Sequence, residues 1–434
     1  MTAVRNLAGW ALLPALVVMQ FFDLRRGLVG PDWTWSAFLV GYALVVVAGL
    51  PLVWSRLREV GRPGWVAIGA FTAVLAYAAV SAVVSGQSLV TSRTSPAVVP
   101  PDTFTGPLLV HRLVPLATAW LTMAAAVVAV LLVPAGQRLA RLWWAAVALV
   151  LTSLVAWPRA VLVHDSPRLA TGMGGSATIH LVFLLCAGVF MGAAMAGHRV
   201  RWSLVGATSS VLCVVLTGSR AGVLTLAVFV VVVLAWLGGR INRRLAGLVL
   251  AGVVLVGAAV VAFVPAARHV LVFGDELRQR NLATAWSVFT ESPTNVLVGV
   301  GSGRLWPWYS FDARWYVVPW RGEVGSSAGV VLTNPHSVLL GVGVELGMVG
   351  LAMVGVLVAV LVWRAVQVWR RPVDGASASL LPGDSWRDGI VLALAAGLVA
   401  FAFDFYLFKN FAVSFWWWVC FAAVFSRAPS PSER

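Results

Sequence analysis

Twelve apolar runs, each on the order of 20 residues, follow one another along this 434-residue chain and decide what it can fold into. Inside a bilayer no water is at hand for backbone N–H and C=O groups, so such a run crosses as an α-helix. The runs fall at 7–22, 36–54, 64–84, 110–133, 142–157, 178–196, 202–217, 221–238, 245–264, 336–363, 389–407 and 411–426. Composition agrees. Hydrophobic residues make up 60% and charged residues 11%, with a mean hydropathy of +0.91, whereas a soluble domain carries about 25% charged residues. A water-soluble enzyme or free-standing binding module is excluded. The expected fold is all-α, a polytopic membrane protein with about 12 transmembrane helices. The first run, Leu7 to Phe22, has no small-residue cleavage site and is expected to remain as a span.

A formal charge of +15 raises the question of a nucleic-acid partner. The basic residues answer it: they stand singly and in pairs between apolar runs, where topology signals stand, so no nucleic acid is expected. Arg56, Arg58 and Arg62, then Arg138 and Arg141, Arg199 and Arg201, Arg240, Arg243 and Arg244, and Arg364, Arg370 and Arg371 occupy alternate connections. By the positive-inside rule these connections and both termini are cytoplasmic. The domain organisation is then 1–264 with nine spans, an extracytoplasmic loop 265–335, three spans in 336–426 and a cytoplasmic tail 427–434. Cys186, Cys213 and Cys420 all fall inside apolar runs, away from any oxidising compartment or metal site.

The loop from Pro265 to Pro335 is long enough to be functional. Leu282, Ala285, Trp286 and Phe289 recur at helical spacing and make an apolar stripe, with Arg280, Thr284, Ser287 and Glu291 on another face. The pattern predicts a short helix lying at the membrane surface with Trp286 at headgroup level, or one packed on neighbouring loops.

Three ionisable residues on the outer side stand out, because charge near a bilayer is costly and marks function by default. Arg220 lies in Thr217-Gly218-Ser219-Arg220-Ala221-Gly222, a tight turn in which Ser219 can cap the descending helix. His336 lies in Asn334-Pro335-His336-Ser337, which reads as an N-cap followed by proline at the first helical position. Arg280 is on the polar face of the loop helix. Taken singly, an arginine at a helix end more often snorkels as an anchor, and a histidine at a helix start is more often a surface residue. Taken together, three such groups at one depth make an anion site, since helix N-termini present N–H groups and a positive dipole end.

At these residues the sequence resembles the O-antigen ligase and polymerase-like membrane proteins. Thr-Gly-Ser-Arg-Ala-Gly at 217–222 is one matching piece. A second runs from Arg280-Asn281-Leu282-Ala283-Thr284-Ala285-Trp286 to Pro293 and Gly299-Val300-Gly301-Ser302-Gly303. The third is His336-Ser337 with Leu339, Glu345, Gly347 and Gly350; the family usually has asparagine where Ser337 stands. The resemblance implies a GT-C-like glycosyltransferase of the cytoplasmic membrane, acting on its extracytoplasmic face. The implied reaction moves a glycan from a polyprenyl-diphosphate carrier to a hydroxyl acceptor with inversion and without a metal or other cofactor.

The residues make chemical sense of that reaction. The outer loops hold no Asp-x-Asp pair, and Asp275 and Glu276 are adjacent and diverge on a helix. Arg220 and Arg280 can supply the charge for the leaving diphosphate instead. Cationic surroundings keep the His336 imidazole neutral and able to take a hydroxyl proton. Arg112, beside His111, Arg159 and Arg304 are further candidates for donor binding. A transporter or flippase of lipid-linked glycans is the alternative, since it too would be a many-helix protein with arginines for diphosphate. Transporters often show internal repeats and broken helices meeting at the midplane, whereas this sequence shows no repeat between its halves and its candidate charges cluster at the outer surface.

Weaker signals have plainer readings. Gly299, Gly301 and Gly303 read as a flexible turn, and Gly343, Gly347 and Gly350 as small residues for close helix packing. Glu345 and Asp404 read as buried structural hydrogen-bonding groups, and Phe415-Trp416-Trp417-Trp418 as a lipid-facing or packing run.

Overall fold

The computed structural model describes residues 10–21, 34–85, 108–164, 168–238, 276–306, 335–370 and 385–426. Among the described residues every regular element is helical. In chain order these are α1 (Leu12–Phe21), α2 (Thr34–Val53), α3 (Arg62–Val84), α4 (Leu108–Leu132), α5 (Arg138–His164), α6 (His180–Met195) and α7 (Val200–Leu216). They continue as α8 (Arg220–Gly238), α9 (Glu276–Phe289), α10 (Pro293–Val298), α11 (Val338–Arg370), α12 (Trp386–Gly397) and α13 (Phe411–Phe425). Six helices among the described residues are long and apolar enough to cross a membrane; α1, α6, α7 and α13 are apolar but shorter. The run at 245–264 and the tail at 427–434 lie outside the described residues.

One expected span is not a single helix. The run at 389–407 divides into α12 and a 3₁₀ turn, Leu398–Ala402, followed by an irregular bend that delivers the chain to α13. Apolar composition alone does not mark that break, because Phe403, Phe405, Tyr406, Leu407 and Phe408 are as hydrophobic as the helices around them.

The core is a helix placed at the centre rather than at the periphery. Every residue of α13 is buried, and the indoles of Trp416, Trp417 and Trp418 are fully enclosed against α4, α6 and α12. Trp417 meets Trp418 edge-on at 4.8 Å and stacks on Phe421 at 5.5 Å, so the aromatic run is a packing element. Cys186, Cys213 and Cys420 are free thiols in this apolar interior.

Close helix contact is made where small residues meet. On α6, Gly188 and Gly192 are four apart on one face, and both press against Gly389 of α12. A Cβ added at Gly192 would fall on the Trp386 carbonyl, and one added at Gly188 would strike Ala393. Gly192→Leu is therefore expected to drive α6 from α12 at a cost of about 3 kcal/mol or more. Thermal unfolding of the detergent-solubilised protein, followed by the monodisperse fraction, would check it. Unchanged stability would contradict the close packing.

The two ends of the bundle differ in chemistry. At one end Arg138 forms an ion pair with Glu59, and Arg56 donates to the Leu131 carbonyl at 2.9 Å. The Gly61 N–H reaches Phe425 at 2.9 Å, and Arg387 reaches Ala423 at 3.3 Å. Arginines assigned from sequence to one side of the membrane thus gather with helix ends from four parts of the chain. The opposite end collects residues 168–178, 217–220, 297–306, 335–341 and 401–410, joined by the contacts below.

Candidate functional site

Arg220 is the first residue of α8. The Gly222 N–H donates to Ser219 Oγ at 3.1 Å, so Ser219 caps the helix as its position suggests. The turn before it is held firmly. Gly218 has φ +57, the Ser219 N–H donates to Thr217 Oγ1 at 3.2 Å, and Thr217 itself is buried. Arg168 clamps the outside, donating to the Thr217 carbonyl at 3.1 Å and the Gly218 carbonyl at 3.0 Å. Arg220 itself is exposed as the first residue of the helix, so its guanidinium stands at the positive end of the helix dipole. Arg168 went unnoticed in the sequence because it lies 49 residues away in a connection with no pattern.

His336 is placed differently from the reading given above. Helix α11 begins at Val338, and the Leu340 N–H donates to Ser337 Oγ at 3.2 Å, which makes Ser337 the N-cap. His336 precedes the cap with φ +52, a left-handed conformation uncommon for a side chain other than glycine. Its half-exposed imidazole therefore stands outside the helix rather than in its first turn. Asn334, the expected cap, lies outside the described residues. Ser337 prevails because its hydroxyl is used twice: it also donates to the Phe401 carbonyl at 3.3 Å.

That second bond ties the His336 motif to the Arg220 motif. Phe401 stacks on Tyr406 with ring centroids 6.3 Å apart. The Tyr406 hydroxyl lies 3.4 Å from His180 Nε2, at the start of α6. The His180 ring in turn packs on Gly222, where an added Cβ would come within 2.8 Å of His180 Cβ. Helices α8 and α11 also both touch the 3₁₀ turn Leu398–Ala402. Tyr406 and His180, like Arg168, were missed by sequence reasoning; each lies inside a long apolar run, where a polar group draws little notice.

Arg280 lies on α9, whose bounds fit the predicted loop helix. The side chains of Arg280 and Arg159 lie outside the described part. On the same helix Ala285 and Val288 are buried, α9 packs on α11, and Leu282 and Trp286 are exposed. The apolar stripe is thus divided between packing and an outward face.

The glycine-rich segment after α10 is not a flexible turn. Gly299, Gly301 and Gly303 all have positive φ, at +79, +111 and +69. The Val300 N–H donates to the Val344 carbonyl at 3.0 Å and the Gly301 N–H to the Glu345 carbonyl at 3.0 Å. Those carbonyls are available because α11 breaks at Gly347, with φ +67 and ψ −165. Gly347 is therefore a break in the helix and not a packing glycine, and Leu297 and Gly299 fill the space where its Cβ would be. Glu345 completes the lock, its carboxylate accepting from the Gly303 N–H at 2.9 Å and the Trp306 N–H at 3.1 Å. The reading of Glu345 as a buried hydrogen-bonding group holds. Asp404 likewise accepts from the Phe405 N–H, at 2.6 Å.

Arg112, Gly303 and Glu345 line a small cleft walled by Pro115, Phe405 and Phe408. Arg112 is only 2% exposed. Burial, and secondarily the Arg112 charge, hold the Arg304 guanidinium below the usual arginine pKa.

Residues 205–355 match the family model described as O-antigen ligase. That stretch contains the Arg220 turn, α9, the locked glycine segment and the first part of α11. Over that stretch the chain is similar to the O-antigen ligase family, in line with the resemblance its motifs carry. No curated protein matches the chain.

Proposed function

We propose that this O-antigen ligase-like membrane protein is a glycosyltransferase using a polyprenyl-diphosphate-linked glycan and a hydroxyl acceptor at the extracytoplasmic face of the cytoplasmic membrane. The match at 205–355, which contains Arg220, Arg280 and His336 in order, carries this reading. The hydroxyl oxygen attacks the anomeric carbon from the face opposite the diphosphate. The bond from that carbon to the diphosphate oxygen breaks, its electron pair stays on the diphosphate, and the configuration inverts. The hydroxyl proton passes to His336. Arg220 and Arg280 bind the diphosphate and stabilise the charge it gains, and each is expected to lower the barrier by about 2–4 kcal/mol. Arg112, Arg159 and Arg304 add to donor binding.

The helix break at Gly347 favours the second reading, a transporter of lipid-linked glycans, because transporters place broken helices around their sites. Its position weighs the other way. The apolar part after it, 348–363, extends about 24 Å at 1.5 Å per residue, most of the roughly 30 Å hydrocarbon thickness. That length supports a break nearer the outer surface than the midplane.

Purified protein in lipid nanodiscs, incubated with a polyprenyl-diphosphate glycan and acceptor, is expected to give a covalent glycan–acceptor product detectable by mass spectrometry. Turnover is expected to be undiminished in EDTA, since guanidinium groups supply the positive charge. A requirement for added Mg²⁺ or Mn²⁺ would contradict the arginine assignment. Donor moved across the bilayer unchanged, with no product, would establish the transporter.

A further inference from the structure

The irregular bend between α12 and α13 is costly to build. Leu407 has φ +67, a conformation that leucine seldom adopts, and its N–H is held by Ser414 Oγ at 3.0 Å. Tyr406, just before it, is fully buried, and its hydroxyl lies 3.4 Å from His180 Nε2 and from the Ala177 and Thr178 carbonyls. His180 is fully buried as well, and its Nδ1 has no hydrogen-bond partner among the described residues. A phenyl ring would fill the same place without leaving a buried polar atom unsatisfied. Strained backbone and unsatisfied polarity collect where a geometry is needed for function.

The neighbours of the pair show which geometry that is. On one side the His180 ring lies over Gly222, two residues after Arg220, where an added Cβ would come within 2.8 Å of His180 Cβ and 2.9 Å of Cγ. The Gly222 N–H is the group that Ser219 caps, so the ring bears on the start of α8. On the other side Tyr406 stacks on Phe401, whose carbonyl accepts from Ser337, the residue after His336. The anchor is firm, because α6 is pressed onto α12 through Gly188, Gly192 and Gly389. Between the two sides, packing is the stiffer. A separation of 3.4 Å is long for a hydrogen bond, whereas a ring seated on a glycine has nowhere to move.

We infer that His180 and Tyr406 are positioning residues, a buried strut that sets the Arg220 turn at a fixed distance from the His336 segment. This inference rests on the transferase reading above, in which those two motifs serve one reaction. The strut acts through Gly222 and Ser337, so it governs how the reacting groups are aligned and not how tightly the donor is held.

Transfer and thermal unfolding would be measured on the full chain in nanodiscs for His180→Phe, Tyr406→Phe and the double variant. His180→Phe is expected to lower kcat about fivefold, with donor KM unchanged and Tm equal to wild type or higher. A merely structural role would move kcat and Tm together. Tyr406→Phe is expected to lower kcat about threefold, and the double variant to be no slower than His180→Phe, since both changes remove one link. Removing the ring with His180→Ala is expected to cost about 50-fold or more in kcat. Gly222→Ala is expected to cost about tenfold by itself and nothing further in the His180→Ala background, where the methyl group takes vacated space. Spin labels at Val223→Cys and Leu339→Cys, both exposed positions, give an independent reading. Their distance is expected to be narrow in wild type and broad in His180→Ala. Wild-type kcat in His180→Phe and Tyr406→Phe, with an unaltered distance in His180→Ala, would overturn the inference. Wild type that makes no product overturns the transferase reading instead, and the distances then decide by themselves whether the pair is a strut.

Discussion

Gly347→Ala is expected to abolish transfer while leaving the protein inserted. The backbone at this position, φ +67 and ψ −165, belongs to a region that side chains other than glycine essentially do not enter, at a strain of about 1–3 kcal/mol. Space is lacking too. A methyl group there would meet the Leu297 carbonyl and the Gly299 nitrogen at less than contact distance, and both are backbone atoms unable to rotate away. The cheapest relief is for α11 to straighten. A continuous helix would reclaim the Val344 and Glu345 carbonyls that now accept from Val300 and Gly301. The glycine segment would then lose its seat and, with it, the fixed relation between α10 and the start of α11. A fall in turnover of at least about 100-fold is expected, in line with small misplacements at reacting groups. Gly355→Ala, in the same helix with open space around it, should retain full activity and gain stability of up to about 1 kcal/mol. Turnover measured in nanodiscs for the two variants separates them, and equal activity would show that the break is dispensable.

The second large effect concerns the proposed base and its partner arginine. His336→Asn is expected to lower kcat by about 10²–10⁴-fold, the range for removal of a general base. Asparagine is the suitable replacement because it tolerates the left-handed conformation at φ +52, so loss of activity is not confused with backbone strain. Arg220→Ala is expected to cost about 10²–10³-fold. Arg220→Lys should recover part of that, since lysine keeps the charge but loses the planar pair of donors that matches a phosphate. Single-turnover measurements with saturating donor would give these numbers directly. Full activity of His336→Asn would remove the imidazole as base.

Much of the architecture was legible because apolar length is a one-dimensional property. The helices around 64–84, 110–133 and 221–238 lie where hydropathy places them. The Ser219 cap was legible for a similar reason, since donor and acceptor are three residues apart. The errors arise where several local answers compete. Asn334-Pro335 and Ser337 both make acceptable caps, and the choice was made by Phe401, which lies 64 residues further on. Gly343, Gly347 and Gly350 have the spacing of a packing stripe, yet only the fold reveals that Gly347 is needed for its positive φ. The packing stripe is on α6 instead. Glu345 could be flagged as costly from sequence, but its partners, Gly303 and Trp306, are backbone groups with no residue signature.

The burial of α13 at the middle of the bundle bears on how the molecule is assembled. Synthesis proceeds from the N-terminus, so α4 and α6 enter the bilayer before the element that will separate and support them exists. Until then their inner surfaces must be occupied by lipid or by an insertion chaperone, and the bundle closes only when the tryptophan-bearing keystone slides between them.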